Sequence, residues 1–469
     1  MPTPAVDTAA PAGNGSAGST ATLARRMTLI ATSLGFAVVQ LDVSVVNVAV
    51  KSIGSALGGG VSSLQWVVSA YTVAFAAFIL TAGALGDRIG ARRVFVGGFA
   101  LFTVASVVCG LAPSLGVLVG ARAVQGVGAA ILVPGSLSLL NHTYPEPAAR
   151  AHAVGLYLAG ASLSLSGGPL VGGVLIASLG WRAIFFINVP VAAVGVYLTL
   201  RFASETTRTT GRGIDLPGQL AAVITLVALV AATIEGGRSG FGDSLVLAGF
   251  AVAALAGAAF VAIEARSASP MLPLGLFRSR TFSGSTVIGL LINICFYGLI
   301  FVFSLLFQRE QHLSPLQTGL ALAPIMVAIT GANLVAGRVL GWLGPRRTIA
   351  IGAVLVACGC AGLLGVGAST AYLAVIVQIS LLGFGAGLIV PVITSEMLGS
   401  VDPSRSGVAS GTLNTMRQAG SAIGVALFGS LIATSLVSGL HAALAISVGL
   451  VVAIAALTRV LDRQVPEPQ

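Results

Sequence analysis

Apolar runs of about twenty residues recur along almost the whole chain, and they restrict its fold more than any other feature. Inside a bilayer only helices and closed barrels satisfy all their backbone hydrogen bonds, and a helix needs about 20 apolar residues to cross. The chain is 56% hydrophobic and only 8% charged, whereas soluble domains carry about 25% charged residues. The sequence therefore predicts an all-α integral membrane protein with little mass outside the bilayer.

The apolar runs predict fourteen membrane-spanning helices. Only a short turn separates the fifth run from the sixth, so we expect those two helices to be antiparallel neighbours. The predicted spans cover residues 27–50, 64–85, 94–111, 115–140, 152–178, 183–201, 216–235, 244–264, 282–307, 317–340, 348–367, 371–396, 406–433 and 438–459.

The basic residues predict the orientation of these helices, because cytoplasmic loops are enriched in arginine and lysine. With a cytoplasmic N-terminus, 18 of the 24 basic residues lie on the inner side, four lie outside, and Arg122 and Arg417 lie within spans. The sequence thus predicts a multi-pass protein of the cell (plasma or inner) membrane with both termini in the cytoplasm. The net charge of +10 is spread over short loops and predicts no nucleic-acid partner.

A segment of eleven residues recurs 254 positions later, as Gly83–Arg93 and Gly337–Arg347. Both copies follow a span on the predicted cytoplasmic side, which indicates two equivalent halves, and parallel repeats of this kind build many transporters. The predicted organisation is a disordered cytoplasmic tail over 1–26, a six-helix bundle over 27–201, two inserted linker helices over 202–281, a second six-helix bundle over 282–461 and a cytoplasmic tail over 462–469.

Asp42 is the single charged residue inside the first span. A carboxylate at that depth costs a few kcal/mol and normally faces a protein interior or a water-filled cavity. We therefore expect Asp42 to bind and release protons, and Arg122, at a similar depth in the fourth span, to be its partner. A permanent structural ion pair is the alternative interpretation.

The first copy of the repeated segment combines glycines, one acid and three arginines. Glycines permit a tight turn, and Asp87 can accept hydrogen bonds from a helix N-terminus or pair with an arginine. We predict a latch between the helical bundles, and a basic loop that only sets topology is the alternative. The predicted latch residues are Gly83, Asp87, Arg88, Gly90, Arg92 and Arg93.

These motifs, in this order, resemble the major facilitator superfamily, and in particular its fourteen-span drug:proton antiporters. The segment Gly83–Arg93 is similar to the loop motif G-x-L-x-D-r-x-G-r-[KR]-[KR], and Gly167–Gly173 is similar to the fifth-helix antiporter motif G-P-x-x-G-G. Further stretches that resemble this branch are Leu41–Ala49, Arg122–Ala130, Trp181–Pro190 and Asn414–Gly420.

The resemblance implies a major-facilitator fold with two extra central helices. It implies a proton-coupled antiporter that exports drug-like or antibiotic amphipathic small molecules by alternating access. Asp42 and Arg122 would then couple protons, and Gly168, Pro169, Gly172 and Gly173 would form the antiporter motif, for which ordinary close helix packing is the alternative. Candidate cavity residues are Asn47, Gln125, Asn414 and Arg417, although Arg417 also suits a structural, carbonyl-capping role.

Other sources of energy and other activities have weaker support in the sequence. Lys51 is the only lysine and follows no phosphate-binding glycine loop, so ATP use through such a loop is excluded. We expect no enzyme activity, no metal and no cofactor, with protons as the coupling ion. The four cysteines are expected to be small core residues. A uniporter or symporter of a metabolite, a lipid-handling flippase and a membrane-embedded enzyme are the alternatives.

The expected partners are a small-molecule substrate and membrane lipid, and we expect the protein to act as a monomer. Because Asp42 is the one deep acid against two embedded arginines, neutral compounds or lipophilic monocations should compete with its proton. Dications should be exported poorly, since a second unpaired buried charge costs several kcal/mol.

Overall fold

The computed structural model describes residues 15–206, 215–267, 270–365, 372–402, 406–433 and 435–461, and these residues contain helices but no strand. One short 3-10 helix, Leu274–Arg278, precedes α10. The α-helices are α1 Gly15–Leu57, α2 Val61–Ile89, α3 Ala91–Leu111, α4 Leu115–Thr143, α5 Pro147–Leu179, α6 Ala183–Phe186, α7 Asn188–Phe202, α8 Leu216–Ser239, α9 Ser244–Arg266, α10 Arg280–Arg309, α11 Pro315–Leu363, α12 Tyr372–Gly399, α13 Ser406–Leu431 and α14 Leu436–Leu461.

Several helices begin at a polar side chain that caps their free backbone N–H groups. Ser314 and Gln317 form a complete capping box at the start of α11, where each side chain accepts from the other residue's backbone. Single side chains cap α4, α8, α9 and α10, and these are Ser114, Asp215, Asp243 and Ser279. The apolar runs therefore determine which segments are helical, and short polar residues determine where these helices start.

Twelve described helical segments, with α6 and α7 counted as one, are long and apolar enough to cross a membrane, which makes the chain a multi-pass membrane protein. Helix α11 counts once among the twelve, but Gly344 interrupts it with φ 74° and ψ 169°. Gly344 lies 254 residues after Gly90, which separates α2 from α3 with φ 102°. Helix α13 is not among the twelve, because many of its side chains are polar. The count of fourteen spans stays a prediction.

The first helix begins earlier than the sequence predicted. Residues 15–26, expected to belong to a disordered tail, form the first turns of α1. Two contacts hold this extension: Arg25 pairs with Glu146 at 3.4 Å, and the Tyr144 hydroxyl donates to the Arg25 carbonyl at 3.1 Å. Alanine, leucine and arginine in this segment also favour a helix. The rest of both predicted tails, 1–14 and 462–469, lies outside the described residues.

The helices pack as two sequence-continuous groups, which we call the first group (α1–α7) and the second group (α10–α14). They meet where α1 packs on α10, α2 on α13 and α5 on α11, while α8 packs against both α2 and α13, and α9 packs on α8. We name the two ends of this assembly after residues near them: α1 ends and α2 begins at the Lys51 end, and α2 ends and α3 begins at the Arg88 end.

Candidate functional site

Asp42 and Arg122 meet inside the first group. Helix α1 supplies the carboxylate and α4 the guanidinium, and Arg122 Nη1 donates to Asp42 Oδ2 at 2.5 Å. Both residues are almost completely enclosed, with exposed fractions of 2% and 1%. The structure therefore brings together the two charged residues that the sequence selected, as an ion pair that is also a charge-assisted hydrogen bond.

The second carboxylate oxygen of Asp42 is also occupied. Asp42 Oδ1 accepts from Gln125 Nε2 at 2.8 Å and from Asn188 Nδ2 at 3.3 Å. Ser106 on α3 holds both amides, because its hydroxyl oxygen accepts from Asn188 at 2.8 Å and from Gln125 at 3.3 Å. Ser106 in turn donates to the Phe185 carbonyl at 2.9 Å. The carboxylate is thus tied to α3, α4 and α7.

Arg122 is satisfied on its other sides as well. Its Nε donates to the Val67 carbonyl on α2 at 3.0 Å, and its Nη1 also donates to Gln125 Oε1 at 2.8 Å. The guanidinium carbon lies 4.2 Å from the centre of the Tyr71 ring, an attractive cation–π arrangement. Removing one partner of such a buried pair typically costs about 3–5 kcal/mol. Contacts around the pair therefore join α1, α2, α3, α4 and α7, so the relative positions of these helices depend on the charge of Asp42.

Sequence reasoning missed three members of this cluster. Asn188 falls in the stretch Trp181–Pro190, which was noted for its resemblance to the family but not for a role. Ser106 and Tyr71 carried no signal, because an isolated serine or tyrosine in an apolar run is ordinary. Only the relative rotation of α2, α3 and α7 places these side chains beside Asp42.

Two candidate cavity residues are enclosed instead. Gln125 is fully buried within the cluster, with 0% exposed. Asn47 is also buried, and its Nδ2 donates to the Val43 carbonyl of its own helix at 2.8 Å. Protein groups contact both Asp42 oxygens in this structure, and competition between a cationic substrate and a proton there stays a prediction.

The predicted latch contacts its own group in this structure. Glu205, just after α7, accepts from the Arg92 backbone N–H at 3.0 Å and pairs with Arg93 at 3.7 Å. Arg92 also donates to the Leu200 carbonyl at 2.5 Å. Glu205 therefore caps the N-terminus of α3, where a negative charge is favourable. For Arg92 and Arg93, the expected contact between bundles is replaced by one within the first group.

The other latch residues have different positions. Gly90 connects α2 to α3, and its φ of 102° suits glycine. Gly83 faces α4, where an added Cβ would lie 3.8 Å from Pro134 Cβ. Arg88 is exposed, and Asp87 takes part in at least one hydrogen-bonding or electrostatic interaction. A latch function for these residues stays a prediction.

The antiporter-motif glycines lie where α5 meets α1 and α11. A Cβ at Gly168 would lie 2.5 Å from Ser44 Cβ on α1, and one at Gly173 would lie 2.7 Å from Leu316 Cα on α11. A Cβ at Gly172 would lie 3.1 Å from Val45 Cγ1, and Pro169 presents its carbonyl to Gly319 of α11. Only glycine allows backbones to approach this closely. Gly168 and Gly172 therefore pack against α1 inside the first group, whereas Pro169 and Gly173 meet α11 in the interface between the two groups.

Polar contacts close the same interface at the Lys51 end. Ser304 on α10 donates to the Asn47 carbonyl at 2.5 Å, and Gln308 Nε2 donates to the Val48 carbonyl at 3.1 Å. The Lys51 ammonium donates to the Gln308 carbonyl. Side chains from α1 and α10 thus cross-link the two groups at this end.

Asn414 and Arg417 lie on α13 in the second group, and both are partly buried. Asn414 Nδ2 donates to the Ser410 carbonyl of the same helix at 3.1 Å. The Arg417 side chain lies beside α10, and a Cβ added at Gly289 of that helix would be 3.4 Å from Arg417 Cγ. Asn414 and Arg417 remain candidate residues of a substrate cavity between the two groups.

The described residues contain no cluster of three or more histidine, cysteine or acidic side chains that could hold a metal ion. All four cysteines are free. Cys109, Cys295 and Cys360 are buried as predicted, whereas Cys358 is exposed. The difference follows from helical geometry, since two residues two positions apart lie on different faces.

Comparison with known proteins agrees with the helical architecture. The family model described as Major Facilitator Superfamily matches residues 32–425. The methylenomycin A resistance protein of Streptomyces coelicolor is 36% identical over 404 residues, which cover 86% of this chain and 84% of that protein. The drug efflux pump JefA of Mycobacterium tuberculosis is 35% identical over 415 residues, which cover 87% of this chain and 80% of the pump.

A solved structure supports the fold. The human organic anion transporter MFSD10 (TETRAN) superposes with a TM-score of 0.63, over 94% of this chain and 99% of that one. The two sequences are 18% identical, so this likeness concerns the fold alone.

Proposed function

The chain belongs to the Major Facilitator Superfamily, and on that premise we propose that it exports drug-like or antibiotic amphipathic molecules in exchange for protons by alternating access. Relatives that match most of the chain are named for methylenomycin A resistance and for drug efflux, which supports a small-molecule substrate. The same names describe resistance and efflux proteins, and they argue against an enzyme activity for this chain.

The enclosed pair of Asp42 and Arg122 carries the proposal of proton coupling. Asp42 is the only acid this deep among the helices of the first group, and its charge holds Arg122, Gln125 and Asn188 in place. Protonation removes that charge and weakens the contacts between α1, α4 and α7. One proton can therefore bias the packing of the first group, which is what coupling requires.

We further propose that the chain crosses the membrane fourteen times with both termini in the cytoplasm. The break at Gly344 supports two crossings within α11, because it repeats the α2–α3 boundary at Gly90. Helix α13 is 26 residues long, sufficient for one crossing despite its polar side chains. The predicted excess of arginine on the inner side supports the orientation.

With that orientation the Lys51 end faces outward and is closed in this structure. The support is the set of contacts at Lys51, Gln308 and Ser304, together with the close packing of Gly173 on α11. These contacts would have to separate when the transporter opens to the outside.

Energised everted vesicles test the proposed function. We would follow uptake of 7-(diethylamino)coumarin-3-carboxylic acid ethyl ester, a neutral fluorescent amphiphile, with and without a protonophore. The wild type should accumulate the dye, and the protonophore or Asp42→Asn should abolish accumulation. Asp243→Asn is the matched control, because an asparagine at that helix cap can replace the aspartate.

Other results would identify the alternatives. Dye loss from energised everted vesicles would indicate an importer. Movement of labelled lipid between leaflets, without dye transport, would indicate a flippase. Accumulation by Asp42→Asn equal to that of the wild type, at equal expression, would contradict proton coupling through this residue.

A further inference from the structure

Arg417 is a positively charged side chain without a counter-charge inside the second group. The ion pairs within the described part of the chain do not include it. Its Nε is enclosed and has no hydrogen-bond partner. Arginine stays charged in proteins, and a buried charge without a partner is costly. A missing partner therefore needs an explanation.

The helices of the second group offer no acid at the depth of Arg417. Helices α10 to α14 contain one acidic residue, Glu396, three residues before the end of α12. Arg417 lies eleven residues into α13. At 1.5 Å per residue these positions differ in depth by about 12 Å. In the first group, Arg122, Gln125 and Asn188 already occupy Asp42.

The position of Arg417 on α13 shows which space it faces. Gly411 of α13 contacts Leu80 of α2, whereas Gly420 packs on the Leu290 carbonyl of α10. Between these two faces runs a polar stripe with helical spacing, formed by Ser410, Asn414, Arg417 and Ser421. Polar side chains at this depth avoid lipid. The stripe therefore faces the space between the two groups.

Some hydroxyl groups on the facing surfaces of the two groups also lack partners. Ser421 Oγ, on the same stripe, is buried without a hydrogen bond. Tyr297 on α10 lies near Arg417 and packs against the core cluster that contains Tyr71 of the first group. The Tyr71 hydroxyl is itself buried without a partner. The Ser421 and Tyr71 hydroxyls therefore have no partner in this structure, and although a hydroxyl can accept as well as donate, no described residue supplies a negative charge to Arg417.

We propose that Arg417 anchors an acidic group of the transported molecule, such as a carboxylate, an enolate or a phenolate, between the two groups of helices. This inference rests on the proposed export function and names the class of compound exported. The guanidinium supplies the charge and a planar pair of donors that match a carboxylate. The preferred substrates are amphipathic acids, not the monocations expected from Asp42.

Direct binding separates this proposal from the export function. The purified protein in nanodiscs would be titrated with 7-(diethylamino)coumarin-3-carboxylic acid and with its ethyl ester, which share one skeleton and differ in charge. We expect the wild type to bind the acid about tenfold more tightly than the ester, which corresponds to about 1.4 kcal/mol. Arg417→Gln should bind both equally. Arg338→Gln, which removes an exposed arginine, should keep the preference.

The conservative variant protects the test against misfolding. Arg417→Lys keeps the charge but loses the paired donors, so it should show an intermediate preference. Either of two results would overturn the proposal: a wild type without preference for the acid, or an Arg417→Gln variant with the wild-type ratio. Neither result depends on energised export, so the proposed function could survive both.

Discussion

Replacing Arg122 by methionine is the perturbation whose size the structure predicts most directly. Methionine fills a similar volume, but it removes the hydrogen bonds to Asp42, Gln125 and the Val67 carbonyl. It also leaves the Asp42 carboxylate buried without its counter-charge. Breaking a buried pair from one side costs about 3–5 kcal/mol, and we expect Arg122→Met to lower the free energy of unfolding by that amount.

A double-mutant cycle separates the charge pair from simple loss of packing. In an Asp42→Asn background the stranded charge is absent, so Arg122→Met should cost about 2–3 kcal/mol less than it does in the wild type. The assay is unfolding of the purified protein by sodium dodecyl sulfate, followed by circular dichroism. If the two substitutions add within about 0.5 kcal/mol, the pair does not organise the first group, and our interpretation of the cluster is wrong.

Three further perturbations test other parts of the structure. Gly319→Leu should clash with the Pro169 carbonyl and shift the protein away from closure at the Lys51 end. A cysteine introduced at the Lys51 end should then react faster with an external maleimide. An unchanged reaction rate would contradict a role of this contact in closure. Glu205→Gln weakens the charge at the start of α3 and should cost about 0.5–1 kcal/mol in thermal unfolding; a loss near zero would show that the contact is incidental. The Lys51 ammonium donates to the Gln308 carbonyl, so it should react slowly with an amine reagent until substrate export begins. Lys51→Arg, which has no reactive amine, gives the background labelling, and rapid labelling of the wild type without substrate would contradict closure of the Lys51 end.

Most of the helical architecture could be predicted, because the length of an apolar run is set by the thickness of the membrane. Many of the observed helices extend the predicted spans by a few residues, and caps such as Ser314 decide the boundary, whereas α11 and α13 end a few residues before the predicted ends. The start of α1 was not predictable from composition. It depends on Arg25 and Tyr144, whose contact forms only after the chain has folded.

The candidate site was predictable only in its charged members. A carboxylate or guanidinium inside an apolar run is conspicuous, so Asp42, Arg122 and Arg417 could be selected from sequence. Ser106 and Asn188 could not be assigned to the site, because their role depends on how α3 and α7 are rotated toward α1. The same dependence explains why Gln125 is enclosed and not part of a cavity.

Sequence patterns also could not say where the latch residues bind. A cluster of glycines and arginines predicts a tight basic turn, and Gly90 forms one. The acceptor for Arg92 and Arg93 lies more than a hundred residues further on, at Glu205. Such a long-range pair carries no local signal, so the partner became visible only in the folded chain.

We propose that Asp42 binds and releases the proton that is exchanged for substrate. The most direct measurement is substrate-driven proton movement in proteoliposomes without an imposed gradient, with a pH-sensitive dye inside. When substrate flows down its own gradient, the wild type should move protons in the opposite direction. Asp42→Asn should bind substrate but move no protons. Proton movement by Asp42→Asn at the wild-type ratio of protons to substrate would contradict the claim.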